Sequence, residues 1–134
     1  MIRPLLDTHI WVWWMLGDKR LDTREGDALD AFPREGRPAL SDISLWELAT
    51  LVDLGRIRLD MPLDAWLRIA AASATVARQR ISEEIVAEMN RLPASFHRDP
   101  ADRLIVATSR ALALPVATRD RRIIDSGLVT VWVP

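Results

Sequence analysis

Apolar residues fall along the chain in short runs separated by amphipathic stretches, a pattern that predicts strands interleaved with helices. Ile2 to Leu6 is an apolar run that stops abruptly at Asp7 and reads as a short buried strand. Thr8 to Leu16 carries Ile10, Trp11, Trp13, Trp14 and Met15 and then meets Gly17, which predicts a helix with a glycine stop. Asp22 to Phe32 reads as a second, more polar helix, Pro38 to Ser41 as a brief strand, and Ile43 to Gly55 as a strong helix closed by glycine. Met61-Pro62 opens another helix through about Ala74, and Thr75 to Ile81 reads as a strand. Ser82 then caps a helix to about Leu92, with Glu84 and Ile85 in its first turn.

The last third is plainer. Asp99-Pro100 is a helix start, an N-cap acid followed by proline at the first helical position, and the helix runs from Ala101 to Leu112. Leu114 to Thr118 follows as a buried strand, and Val129 to Val133 as a last one. Strands alternating with helices in this way imply a parallel α/β domain with right-handed crossovers.

Composition narrows the setting. At 134 residues the chain suits one domain, residues 1–134, with 49 % hydrophobic and 28 % charged residues, the balance of a globular protein. No apolar run approaches the roughly 18–20 residues of a membrane span, and Asp7 interrupts the first one too early for a signal peptide. There is no cysteine, which excludes disulfides, thiolate catalysis and cysteine-ligated zinc. A cytoplasmic protein is the natural reading. The net charge of −1 excludes a crude polyanion binder. The basic residues are nearly all arginine, with Lys19 the only lysine, and they gather late, from Arg98 and Arg103 to Arg110, Arg119, Arg121 and Arg122. Arginine presents a planar fork suited to phosphate oxygens.

The acids change the picture more. In an open parallel sheet, ligands bind beyond the carboxyl ends of the strands. Asp7 ends the first strand, Asp120 lies just past the strand at Pro115–Thr118, and Asp102 sits in the first turn of a helix that should start at the same edge. Glu47 is placed by a different argument. Its helical neighbours Ile43, Ser44, Thr50 and Leu51 carry no charge, and a carboxylate in such surroundings needs a cation. Each acid has a bland alternative: Asp99 as an N-cap, Asp102 as its capping-box partner, Asp7 as the cap of the first helix, Asp120 as a turn former, Glu47 as the partner of an arginine. For Asp7, Glu47, Asp102 and Asp120 together, these alternatives require four coincidences at one rim.

Charge limits what such a cluster can do. Two carboxylates about 4 Å apart repel by about 4 kcal/mol at an effective dielectric of about 20, so four of them call for a cation. Oxygen-only ligands point to Mg²⁺ or Mn²⁺ rather than Zn²⁺. Such ions activate water and stabilise charge on phosphate, with Arg98, Arg103 and Arg119 as candidates to hold other phosphates. Phosphodiester hydrolysis is the chemistry that fits.

Four blocks in order, Leu5-Leu6-Asp7-Thr8-His9, Ser44-Leu45-Trp46-Glu47-Leu48, His97 through Ile105 and Thr118-Arg119-Asp120, resemble the PIN domain. More narrowly they resemble the VapC-type toxins of bacterial toxin–antitoxin pairs, and the resemblance covers essentially the whole chain. It implies a three-layer α/β/α fold around a central, mostly parallel sheet of about four to five strands. It also implies a Mg²⁺- or Mn²⁺-dependent endoribonuclease acting on RNA. The partners it implies are a second copy in a homodimer and a small cognate antitoxin lying across the active-site groove, with higher toxin–antitoxin assemblies possible. The family's four-acid site maps onto Asp7, Glu47, Asp102 and Asp120 as catalytic and metal-binding residues, with Asp99, Thr8 and Thr118 as auxiliary members.

His9 and His97 flank the proposed site and are read as packing or supporting groups, since a metal makes a histidine base unnecessary. Trp11, Trp13 and Trp14 cannot all face inward from one short helix, so at least one is expected at an interface. A haloacid-dehalogenase-type phosphatase wants a second aspartate where His9 stands, and a phospho-receiver wants a late lysine that the chain lacks. The remaining alternative is a module that binds RNA or a partner without cleaving it.

Overall fold

The apolar run near the N-terminus becomes the inner strand of a sheet. In the computed structural model, which describes residues 2–134, β1 (Leu5–Leu6) lies between β2 (Ala39–Ser41) and β4 (Val116–Ala117), and β3 (Ala77–Gln79) extends the far side of β2. All three pairings are parallel, with Leu5 opposite both Ala39 and Val116. The strands are shorter than their apolar runs. Pro4, Pro38 and Pro115 stand immediately before β1, β2 and β4, and proline has no N–H to extend a ladder in that direction. The expected strand from Val129 to Val133 does not form. It contributes one parallel bridge, Val131 to Val116, so the sheet has four strands.

Helices follow the predicted order: α1 (Thr8–Leu16), α2 (Thr23–Asp30), α3 (Ile43–Asp53), α4 (Leu63–Ala70), α5 (Glu83–Asn90) and α6 (Pro100–Leu112), then an unforeseen four-residue α7 (Arg121–Ile124). Gly17 closes α1 at φ 64°, as its position predicted, whereas α6 ends without glycine and Ala113 itself takes φ 54°.

Side chains alternate across the sheet with the period of two that a pleated strand imposes. Leu6, Leu40 and Ala117 point to one face, where they meet Ile10 and Trp11 of α1, Leu29 of α2, Leu48 of α3 and Trp66 of α4. Leu5, Ala39 and Val116 point to the other, onto Ile105 of α6, with α5 packed along α6. The result is three layers, helices on both faces of a parallel sheet. Trp11 is fully buried, edge-on to Trp66, and its indole N–H donates to Ala70 O at 2.9 Å. Among the described residues no helix is long and apolar enough to cross a membrane.

Candidate active site

The ladder between β1 and β4 continues one step past the strands, with Asp7 N donating to Ala117 O at 2.9 Å. This carries Asp7 and Thr118 side by side to the carboxyl edge of the sheet. Asp7 is 1 % exposed and caps α1, its Oδ1 accepting from Thr8 N at 2.8 Å. Its Oδ2 accepts from the Thr118 hydroxyl at 2.6 Å. That hydroxyl in turn accepts from Asp120 N at 2.9 Å, so Thr118 ties together two acids that the sequence holds far apart. The Thr8 hydroxyl donates to Ser44 Oγ at 2.8 Å, joining the start of α1 to the start of α3.

From α3 comes Glu47, and from the first turn of α6 comes Asp102. Asp99 caps α6, its Oδ1 accepting from Asp102 N at 3.0 Å, and it also turns toward the other acids. One carboxylate oxygen from each of Glu47, Asp99 and Asp102 lies within 4.8 Å of the other two. Asp99 is therefore both the helix cap that its Asp-Pro context predicts and a member of the acid cluster. The buried Oε1 of Glu47 has no hydrogen-bond partner among the described residues.

The electrostatics show how tightly the acids converge. Burial, and then the charges of Asp7, Asp99, Asp120 and Glu47, push the Asp102 carboxyl up to about 8. Burial also raises Glu47, although the nearby Thr8 hydroxyl favours its charged form. Asp120 is drawn upward by burial, but the side-chain and backbone hydrogen bonds of Arg122 outweigh this and hold it below the usual range. Arg122 Nη2 lies 3.4 Å from Oδ2 of both Asp102 and Asp120 and bridges them. The N-termini of α1 and α6 meet at the cluster, but a helix dipole supplies only about 0.3–1 kcal/mol. That is small beside the repulsion of about 4 kcal/mol for each close carboxylate pair, so the one arginine paired with Asp102 and Asp120 and two helix ends leave the acids short of positive charge.

Two histidines border the acids. His9 Nδ1 is 3.7 Å from Asp7 Oδ1, and this carboxylate raises the histidine's pKa against the effect of its partial burial. His97 Nε2 lies 3.1 Å from Asp102 Oδ2, out of line for a hydrogen bond, with its ring against Phe96.

The arginines are placed differently from expectation. Arg103 is buried, and its guanidinium donates to the carbonyls of Phe96, His97 and Met89 at 3.3–3.4 Å, so it braces the chain before α6 and is not open to a phosphate. Arg119 forms a two-pronged pair with Glu25 on α2, which spends the guanidinium away from the acids. Arg98 is exposed and makes no hydrogen bond or ion pair among the described residues. The arginines at the site are instead Arg122 and Arg56. Both line a groove of about 310 Å³ whose other walls include Glu47, Asp99, Asp102 and Asp120. Arg122 was legible as a late arginine but not as the bridging one, because that role depends on α7 turning it back over Asp120. Arg56 carries no sequence signal beyond following Gly55.

Comparison with known proteins identifies the family and the fold. The family model described as the PIN domain matches residues 5–127. Ribonuclease VapC22 of Mycobacterium tuberculosis is 36 % identical over 136 residues, which span 98 % of this chain and all of that protein. Two solved structures share the fold. The VapBC2 complex of Rickettsia felis, bound to a DNA fragment from its promoter, superimposes with a TM-score of 0.73 at 15 % identity, covering 98 % of each chain. The DNA-bound VapBC complex of Salmonella typhimurium gives 0.68, also at 15 % identity and 98 % coverage of each chain.

Proposed function

The chain belongs to the PIN-domain family and, within it, to the VapC-type toxins, and from that premise we propose that it is a divalent-metal-dependent endoribonuclease that hydrolyses RNA phosphodiester bonds. The observation that carries this reading is the convergence of Glu47, Asp99, Asp102 and Asp120, drawn from separate parts of the chain, on one groove, with the buried Asp7 close enough for its charge to act on Asp102 and Glu47.

The residues fit a hard divalent cation. Every donor is a carboxylate oxygen, the acids lack matching positive charge, and Glu47 Oε1 is buried and unpartnered among the described residues. Such a donor set favours Mg²⁺ or Mn²⁺. Asp7, Glu47, Asp102 and Asp120 would hold the ion, with Asp99 beside them. When bound, the ion supplies an activated water and offsets charge developing on the phosphate. The protein's own groups do the rest. Thr8 N and the Thr118 hydroxyl fix both oxygens of Asp7, so its direction is set before anything binds. Arg122 can pass from Asp102 and Asp120 to a phosphate oxygen, because its side chain is 61 % exposed. The groove beside the acids, about 310 Å³, is also lined by Trp46 and Arg56.

The same reading makes the chain the toxin half of a toxin–antitoxin pair, acting in the cytoplasm as one 134-residue unit. Its partners are a small cognate antitoxin and a second copy of itself. The antitoxin is supported by the VapBC complexes that share its fold. The test uses protein stripped of any co-purifying antitoxin and a broad RNA panel, with Mg²⁺, Mn²⁺ or chelator, followed by mapping of new RNA ends. Cleavage with either ion and none with chelator is expected. An Asp7→Asn protein that stays folded yet cleaves as fast as the parent contradicts the mechanism, and a parent that cleaves nothing contradicts the activity.

A further inference from the structure

Trp46, one residue before Glu47, is 55 % exposed on the wall of the acid groove, and nothing in the fold accounts for it. The other tryptophans are accounted for. Trp11 and Trp66 are buried against each other, Trp13 lies under Arg20, Trp14 under Arg37 with its N–H on Asp30, and Trp132 packs on the core. Among the described residues Trp46 has no stacking ring, no guanidinium over it and no hydrogen bond from its indole N–H. Leu54, 58 % exposed, lies two turns along α3 and continues the same apolar wall.

Beyond that wall stand two uncommitted cations. Arg56 and Arg58 are exposed, and their guanidinium groups make no ion pair or hydrogen bond among the described residues. Arg56 lines the acid groove and also an adjoining trough of about 410 Å³ that includes Arg58, His9 and Trp13. The two spaces share His9, Leu51 and Arg56 and so form one path leading away from Glu47. Arg20 in that trough is already neutralised by Asp18 at 2.8 Å, which leaves Arg56 and Arg58 as its surplus charge.

We propose that this path is a binding track for unpaired RNA, in which the indole of Trp46 stacks a base flanking the cleaved bond and Arg56 with Arg58 holds the backbone phosphate beyond. The inference rests on the nuclease reading, which puts a phosphodiester beside Glu47; a base attached at that point meets Trp46 first. Ring followed by cation is the arrangement that carries single-stranded nucleic acid, since any base offers a π-face and the backbone offers charge. A base inside a duplex has both faces covered, so the platform selects looped or single-stranded RNA.

The test measures binding in an Asp7→Asn background, so that it does not depend on cleavage. Labelled twelve-nucleotide oligo(A), oligo(U) and an abasic backbone of equal length serve as probes. Trp46→Ala should weaken both base-bearing oligomers about tenfold or more and leave the abasic one unchanged, while Trp46→Phe should stay within about threefold of the parent. Arg56→Ala and Arg58→Ala should weaken all three alike, each lowering the slope of log affinity against log salt by about 0.7. Thermal melting of each variant checks that the exposed positions leave the fold intact. A Trp46→Ala protein that binds all three probes as the parent does overturns the proposal and returns the wall to a protein partner. Equal loss on the abasic probe, or no binding of any probe by the parent, overturns it as well. Cleavage by the parent is scored separately, so failure of the nuclease reading and failure of the track remain distinguishable.

Discussion

The Thr118 hydroxyl reaches Asp7 Oδ2 at 2.6 Å, joining residues 111 positions apart through a bond that is itself buried. Because the same oxygen accepts from Asp120 N, the bond sets the spacing of two acids as well as the direction of one. Removing the hydroxyl should therefore harm activity more than stability. Thr118→Val is expected to lower stability by about 1–3 kcal/mol, since a buried charged acceptor loses a donor, and to lower cleavage at least about tenfold. Thr118→Ser should restore most of both. Urea unfolding and initial cleavage rates measure the two effects, and a Val variant as active as Ser would detach Thr118 from the site.

Glu47 should behave in the opposite sense. Its carboxyl is raised first by burial, and Asp7 and Asp99 add repulsion, so the charged form is held at a cost in the metal-free protein. Glu47→Gln keeps the shape and removes the charge. The variant is expected to melt at or above the parent's temperature, to lose most of the melting shift caused by Mn²⁺, and to lose cleavage. A variant that melts lower yet keeps the Mn²⁺ shift would place Glu47 outside the metal set.

Asp102 gives a pH signature. Its pKa rises from 3.8 to about 8, through burial first and the charges of Asp7, Asp99, Asp120 and Glu47 after it. A group whose folded pKa is raised contributes stability fully below its unfolded value and loses it as pH rises through the folded one. Metal-free protein should accordingly lose stability between about pH 4 and about pH 8. A divalent cation competes with that proton, so its stabilising shift should be larger at about pH 8.5 than at about pH 5.5. Calorimetric melting with and without Mg²⁺ at the two pH values decides it, and equal shifts would mean that Asp102 binds no cation.

Arg103 provides a control on the arginines. Its guanidinium holds the carbonyls of Phe96, His97 and Met89 in a buried setting, so it is structural. Arg103→Met should cost about 2–4 kcal/mol by leaving the carbonyls of Phe96 and His97 unpaired. Any loss of cleavage should follow the loss of folded protein. Arg122→Ala, by contrast, should change stability by under about 1 kcal/mol, because the side chain is largely exposed, and should let divalent ions bind at lower concentration by vacating Asp102 and Asp120. Denaturant melts and metal titrations distinguish the two.

Much of the site was readable because strand-end position is a sequence property. Asp7 follows the first apolar run directly and Asp120 follows the fourth strand by three positions, and in a parallel sheet both ends point to one rim. Helix caps were legible too at Asp7 and Asp99, which cap α1 and α6, whereas Asp120, read as a turn former, caps the unforeseen α7. The either-or between cap and site proved unnecessary. Asp99 spends Oδ1 on the Asp102 N–H and still joins Glu47 and Asp102 in the acid cluster.

What the sequence by itself determined was local: most of the strand and helix segments, where the acids stand on them, and that Glu47 has uncharged helical neighbours, among which a carboxylate, once buried, calls for a cation. Those follow from periodicity, from capping chemistry and from the cost of an unpaired buried charge. Only the tertiary structure decided which arginine meets which acid, because guanidinium reach is several ångströms in any direction and linear spacing does not choose among partners. It sent Arg119 to Glu25, enclosed Arg103 among carbonyls and brought Arg122 over Asp102. It also decided that the last apolar segment makes a single bridge, and that the tryptophan beside Glu47 is left 55 % exposed. Side-chain exposure is a property of the packed whole, and no run of residues encodes it alone.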